Sequence, residues 1–451
     1  MLPGVAVSKS SPTQGDVTLS KRAQRHGQVK RQGQVKELPG PVKASKGPIP
    51  DGIVVVGLDI GSETHVARFW AAPGEREAAR SLANTAAGVA GLLAWLDERT
   101  GGDRSKGVVG FEPTGSYWQG FVGRLVGAGV GVRVIAPAHT KKYQELLDNS
   151  PNKSDAKDAG GIAELTKRGH GLWLRLPQGA YAELRALNEG YHRATQRMTA
   201  VQNQAREVAF GLFPELVAAI DPFTATGRAL WAATPTPAAW LAKRQSTRER
   251  LVRQASRGRL GAAFVAALTA GARDSLGATE AVAPRVAELS FLLAELDALA
   301  AHRAALEAAL VATVDACPEG EWLASVPGLG RVSAARILGE TGPLADFGSV
   351  QAVLKHAGLN LYASASGKRT PDRVVYRITK RGRSRLRHVL FFAALRLVQR
   401  GGIFHAYYRR LVDENGVVKI RALVAMMRKL LRVLTALARD RVAYVPASTP
   451  A

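Results

Sequence analysis

The sequence holds a single cysteine, Cys317. One thiol excludes an internal disulfide framework and any zinc site built from several cysteines. Its nine histidines are scattered without ligand spacing. Long apolar runs are also lacking. Phe264–Ala270 and Val389–Leu397 fall well short of the roughly 20 residues that a membrane span requires. No apolar h-region stands at the N-terminus, which points away from export and toward the cytoplasm. Above all the chain is short of acid: 37 Asp and Glu stand against 62 Lys and Arg, a formal net charge of +25. Such an excess describes partners more than fold, and the expected partner is a polyanion.

With 451 residues, 46% of them hydrophobic, the chain is long enough for two or three domains with real cores. Residues 1–50 do not belong to a core. They are rich in Gly, Pro, Ser and Gln, with nine Lys/Arg against Asp16 and Glu37 and a small duplication, Gly27-Gln28-Val29-Lys30 and Gly33-Gln34-Val35-Lys36. This composition predicts a disordered basic arm. Either it binds nucleic acid or it is an over-extended reading frame.

Order is expected to begin at Ile53-Val54-Val55-Val56-Gly57-Leu58-Asp59-Ile60-Gly61, a β-branched run that reads as a buried strand ending in an acid. A second strand over His65–Ala71 and a helix over Ala87–Arg99 follow. Gly107–Glu112 is another buried strand with a terminal acid, and Val132–Ile135 a further strand between helices. Strands alternating with helices predict an α/β layer over residues 51–175.

Asp155 and Asp158 lie three residues apart at the start of a helical run reaching Arg168, so they share a face. An isolated pair of this kind is ordinarily a solvated helix start. Asp59 and Glu112 change the balance. If their strands are neighbours, both acids leave the sheet at one edge, and a helix packed there completes a cluster of four carboxylates. Hard oxygen donors in that number suit Mg²⁺, and two such ions can serve phosphoryl transfer.

Residues 176–318 read as two long helices, a polar one over Leu184–Phe210 and one over Arg285–Val314 with apolar Leu289, Leu292, Leu293, Leu296 and Leu299, flanking an Ala-rich helical segment without visible chemistry. They form a scaffold, either an antiparallel or an intersubunit coiled coil. In residues 319–445, Val326-Pro327-Gly328-Leu329-Gly330-Arg331 resembles the turn of a helix-hairpin-helix, whose backbone amides meet DNA phosphates. Between Gly367 and Arg410 stand thirteen Lys/Arg against Asp372 alone. A phosphate-binding surface follows, with Lys368, Arg369, Lys380, Arg381, Arg383, Arg385 and Arg387 as its candidate contacts. Ser364, Ser366 and Thr370 are the hydroxyls nearby, and residue chemistry does not choose among them. Gly416–Asp440 reads as a closing amphipathic helix.

Leu58-Asp59-Ile60-Gly61, Phe111-Glu112-Pro113-Thr114-Gly115 and Asn152-Lys153-Ser154-Asp155-Ala156-Lys157-Asp158-Ala159 resemble the D, E, D, D motifs of an insertion-sequence transposase family. Members of that family, also described as bridge-RNA-guided recombinases, pair a RuvC-like (RNase H-like) domain with a C-terminal transposase domain. Gly358-Leu359, Ser366-Gly367-Lys368 and Thr379-Lys380-Arg381-Gly382 extend the resemblance. The loop from Gly367 to Thr379 is longer than the family pattern. The resemblance implies a DNA recombinase with Mg²⁺, two ions, at Asp59, Glu112, Asp155 and Asp158. It also implies Ser366 as nucleophile, donor and target DNA, a structured guide RNA, a homo-oligomer (dimer or tetramer) and nucleoid association. Help for a weak serine nucleophile would come from the carboxylate domain, in this or a neighbouring subunit. A junction-resolving nuclease using metal and water alone is the alternative, and a non-catalytic nucleic-acid-binding protein a third.

Overall fold

The structure, a computed structural model, describes residues 47–72, 74–75, 77–147, 154–364 and 375–445. The predicted arm lies outside these residues up to position 46. Order nevertheless starts earlier than the strand pattern indicates. Ile49 is 2% exposed and packs with Val55 and Val108, and its amide donates to the Lys167 carbonyl at 2.7 Å. The chain forms two compact units, residues 1–176 and 177–451.

The first unit is built on strands β1 (Val54–Asp59), β2 (Thr64–Phe69), β3 (Ala79–Ala83), β4 (Gly107–Phe111), β5 (Gly131–Val134) and β6 (Leu172–Trp173). Helices α1 (Ala86–Thr100), α2 (Trp118–Gly127), α3 (Pro137–Leu147) and α4 (Asp155–Lys167) connect them. The sheet order is β3-β2-β1-β4-β5-β6. β1, β4 and β5 run parallel at the centre, β2 and β6 run antiparallel to their central neighbours, and β3 is antiparallel to β2. Parallel strands covered on both faces read as continuous apolar runs, and β4 is buried throughout. β3 and β6 carry no such run: four of the five residues of β3 are exposed, and neither strand is visible in the sequence pattern.

Helix α4 lies directly on the sheet, and glycine is the reason. A β-carbon at Gly57 of β1 would overlap the carbonyl oxygen of Ala159 and the amide of Ala163, and one at Gly110 of β4 would overlap the Thr166 hydroxyl. The face of α4 turned to the strands is small, with Ala159 and Ala163 buried. Backbone therefore meets backbone, and the first turn of α4 is carried to the C-terminal edge of β1 and β4.

In the second unit two long helices, α5 (Ala180–Leu212) and, later, Val282–Asp315, bracket a lobe of five short ones. These are α6 (Pro214–Ala219), α7 (Ala225–Ala233), α8 (Pro237–Leu241), α9 (Gln245–Ser256) and α10 (Ala262–Arg273), and the second long helix is α11. The two long helices run antiparallel within one chain: Arg197 pairs with Glu295, and Gly190 faces Leu306. Leu289, Leu292 and Leu296 of α11 are buried in a core shared with Trp231 and Trp240 of the lobe.

The other ends of α5 and α11 enter a second core. It is shared with α12 (Pro318–Ala324), α13 (Arg331–Thr341), α14 (Val350–His356), α15 (Ser384–Arg400), α16 (Gly402–Arg409) and α17 (Lys419–Asp440). α17 is the expected amphipathic closing helix, with Met426, Met427, Leu430, Leu431 and Leu434 buried. A two-stranded hairpin, β7 (Leu361–Ser364) and β8 (Val375–Ile378), stands between α14 and α15. The turn between α12 and α13 needs its glycines, because Gly328 and Gly330 both have positive φ, 93° and 72°.

The contact between β1 and α4 makes a direct prediction. Gly57→Ala, which forces backbone atoms apart, should lower the folding free energy by about 1–3 kcal/mol. Gly127→Ala, at a helical position with open space around it, should leave stability unchanged or raise it by up to about 1 kcal/mol. Chemical denaturation compares the two, and equal midpoints would contradict the contact.

Candidate active site

β1 and β4 are parallel neighbours with Leu58 opposite Phe111. The next residues in register, Asp59 and Glu112, therefore leave the sheet side by side at its C-terminal edge. Asp155 and Asp158 occupy the first turn of α4. Ser154 caps that helix, its hydroxyl accepting from the Lys157 amide at 3.3 Å. A helix N-terminus favours negative charge, which offsets part of the repulsion between the two aspartates.

The four acids act on one another. The Asp59 carboxyl is half-buried and its pKa is pushed up to about 6. Burial is the largest cause, followed by the charges of Asp158 and Asp155, while the Ile60 amide pulls the value down and Glu112 adds a smaller upward push. Sheet edge and helix start thus share one electrostatic field, as the sequence pattern anticipates.

α3 supplies two residues that the sequence reading did not include. Thr140 donates its hydroxyl hydrogen bond to Glu112 Oε2, and Gln144 donates from Nε2 to Asp158 Oδ1. They stand at i and i+4 on one face of α3. A pair of neutral donors one turn apart is common on helices, so only the neighbouring acids reveal their use.

Thr140 and Gln144 thus hold two of the four acids in hydrogen bonds. No group of three or more His, Cys, Asp or Glu among the described residues stands in the arrangement of a metal centre. The donor set still fits a hard divalent cation in kind: four carboxylates with no basic side chain among the causes of the Asp59 shift.

In the second unit the glycines of the Gly358-Leu359 and Lys380-Arg381-Gly382 stretches meet back to back. A β-carbon on Gly382 would stand 2.5 Å from the Gly358 amide nitrogen. The backbone follows, Lys380 N–H donating to the Gly358 carbonyl at 3.0 Å. Ser366, Lys368 and Arg369 lie outside the described residues. They belong to the segment joining β7 to β8, whose last described pair is Ser364 and Val375.

The basic residues divide into two groups. Lys380 and Arg381 are exposed. Arg383, Arg385 and Arg387 instead engage acceptors inside the domain. Arg383 Nη1 stands 3.0 Å from Glu340 Oε2, and Glu340 is 1% exposed. Arg385 pairs with Glu189 at 3.1 Å, and Arg387 Nη1 donates to the carbonyls of Ala357 and Gly382. Asn188 completes the arrangement, donating to Glu340 at 2.8 Å and accepting from Arg336 at 2.9 Å. A solvated charge run and a buried anchor look the same in sequence, since the distinction depends on Glu340, far away in the chain.

A mixed sheet of order β3-β2-β1-β4-β5, with acids at the edge of its parallel pair, is consistent with the RNase H-like class. Residues 56–214 match the family model DEDD_Tnp_IS110, described as transposase, and residues 320–409 match a model described as transposase IS116/IS110/IS902 family. The chain carries transposase domains of the IS110/IS116/IS902 family. The insertion element IS116 uncharacterized 44.8 kDa protein of Streptomyces clavuligerus is 27% identical over 403 residues, covering 87% of this chain and 96% of the relative. The insertion element IS900 uncharacterized 42 kDa protein of Mycobacterium paratuberculosis is 27% identical over 415 residues, 88% of this chain and 98% of that relative. Both alignments run through the helical middle of the chain.

The raised Asp59 pKa has a measurable consequence. The folded protein holds this proton more tightly than the unfolded chain, so the Asp59 contribution to stability is complete below about pH 4 and lost as pH rises through about 6. In a chelating buffer, Asp59→Asn should therefore melt higher than wild type above that range, and the gain should shrink toward pH 4. Adding Mg²⁺ at neutral pH should raise the wild-type melting temperature more than that of the variant. A stability difference independent of pH would show that the acids do not act on Asp59.

Proposed function

We propose that this transposase cuts and rejoins DNA with Asp59, Glu112, Asp155 and Asp158 as the ligands of two Mg²⁺ ions and Ser366 as a covalent nucleophile. The observation that carries the reading is the shared field at the edge of β1 and β4, where burial first and then the charges of Asp158, Asp155 and Glu112 push Asp59 up to about 6. When bound, Mg²⁺ neutralises the phosphate and favours both the attacking and the leaving oxygen.

The residues of the chain supply the rest. Asp59 and Glu112 are fixed by strand register, and Asp155 and Asp158 by the seat of α4 on Gly57 and Gly110. Thr140 and Gln144 orient two of the carboxylates. Lys380 and Arg381, exposed beside the hairpin, bind phosphate. In the chemical step the Ser366 oxygen forms a bond to the scissile phosphorus while the bond to the leaving sugar oxygen breaks. The serine proton passes to that oxygen. Attack by the hydroxyl of the exchanged strand end then forms the new phosphodiester, breaks the serine–phosphorus bond and returns the hydroxyl proton to the serine oxygen.

A structured guide RNA and assembly of two or four copies belong to the same proposal, supported by the motif resemblance and the surplus of 25 positive charges. So does residence on the nucleoid.

Wild type trapped on a nicked substrate and then denatured should migrate as a protein–DNA adduct. Ser366→Ala should lose the adduct while keeping substrate binding, and Ser364→Ala should retain it. Asp59→Asn and Asp158→Asn should abolish strand transfer with binding nearly intact. Cleavage without an adduct in any variant would sink the covalent step and favour a nuclease that uses water. An adduct lost only in Ser364→Ala would move the nucleophile by two residues.

A further inference from the structure

The lobe between α5 and α11 takes no part in the site described above, yet it holds a dense run of unbalanced positive charge. Residues 243–259 contain seven Lys/Arg and one acid, Glu249, which accepts a hydrogen bond from Gln245. We propose that the outer face of α9 docks the sugar–phosphate backbone of duplex DNA.

Helix geometry separates two kinds of arginine. Arg248 lies on the inner side, above the Trp240 ring and bonded to the Thr269 hydroxyl at 3.1 Å, near the fully buried Val252. Arg250 and Arg253 follow at i and i+3 on the opposite face, Arg257 stands just past the helix end as its left-handed C-cap, and all three are exposed. No carboxylate among the described residues forms an ion pair with any of them, or with Lys243. Nearby arginines are different: Arg197 pairs with Glu295, and Arg228 with Asp297.

Beside this face lies a cleft of about 120 Å³ lined by Ala233, Lys243, Thr247, Arg250, Leu251 and Gln254. Four of these lining residues, Lys243, Thr247, Arg250 and Gln254, carry donors suited to phosphate oxygens. α9 itself carries no aromatic residue, and Trp231 and Trp240 of the lobe are buried, so this face offers no platform for unpaired bases. Stacking is what single-strand recognition needs, so a paired backbone is the fitting partner. The choice of DNA rests on the transposase reading.

The test uses the full chain carrying Arg250→Gln, Arg253→Gln and Arg257→Gln together, and fluorescence anisotropy on a short duplex of arbitrary sequence over a salt series. Each lost phosphate contact lowers the slope of log affinity against log salt by about 0.9, so the slope should fall by about two to three. Arg197→Gln with Arg228→Gln, whose charges are already paired, should leave it unchanged.

An unchanged slope in the triple variant, or an equal drop in the paired control, overturns the proposal. Competition by polyglutamate or single-stranded RNA that weakens with the triple variant, while the DNA slope holds, also overturns it and assigns the face to that partner. If the triple variant melts below wild type, Arg253→Gln alone carries the test, with an expected drop of about 0.9. Strand transfer is measured in parallel. An intact reaction with an unchanged slope rejects the surface but not the transposase. A lowered slope with no strand transfer even in wild type does the reverse.

Discussion

The backbone contact between α4 and the sheet is the constraint on which the candidate site depends. It exists because β1 and β4 carry glycine where α4 crosses them and α4 answers with Ala159, Ala163 and Thr166. Ordinary side chains at these places would hold helix and sheet at a normal packing distance. The first turn of α4 would then stand away from the edge where Asp59 and Glu112 emerge. Close packing here is therefore what joins two sheet acids to two helix acids, while strand register alone joins only the first pair.

That placement gathers like charges in a protein otherwise poor in acid. The Asp59 carboxyl, raised to about 6 by burial first and by its acidic neighbours second, shows the cost in the folded state. The helix N-terminus at Asp155 and the neutral donors Thr140 and Gln144 offset it in part. The second unit has the converse arrangement. Glu340, 1% exposed, is a buried anion held by Arg383 and Asn188. Removing one partner of such a buried pair is more costly than never having had it. Arg383, Arg385 and Arg387 thereby shape the turn from which Lys380 and Arg381 project, and the positive charge available to a polyanion lies with the exposed residues.

The β1, β4 and β5 strands, the helices α1 and α4 and the closing helix α17 follow from hydrophobic periodicity, because each buries a continuous run or a stripe. β3 and β6 escaped that signal, being exposed or very short. Ile49 was placed in an arm whose composition is polar on average, although its one apolar side chain finds a pocket among Val55 and Val108. The long helices α5 and α11 were expected to pair, and the structure joins them within a single chain.

By itself the sequence determined the strand-end acids, the paired aspartates, the basic surplus and the glycine-marked turns, since each is a local pattern of residue type and spacing. Tertiary structure decided the rest. Thr140 and Gln144 enter the site because α3 packs beside it, and Arg383 and Arg385, each about a third exposed, turn toward Glu340 and Glu189. Arg250, Arg253 and Arg257 have no ion-pair partner among the described residues, because the core of the lobe turns them outward. Pairing, burial and partnerlessness depend on residues distant in the chain. No local pattern encodes those neighbours.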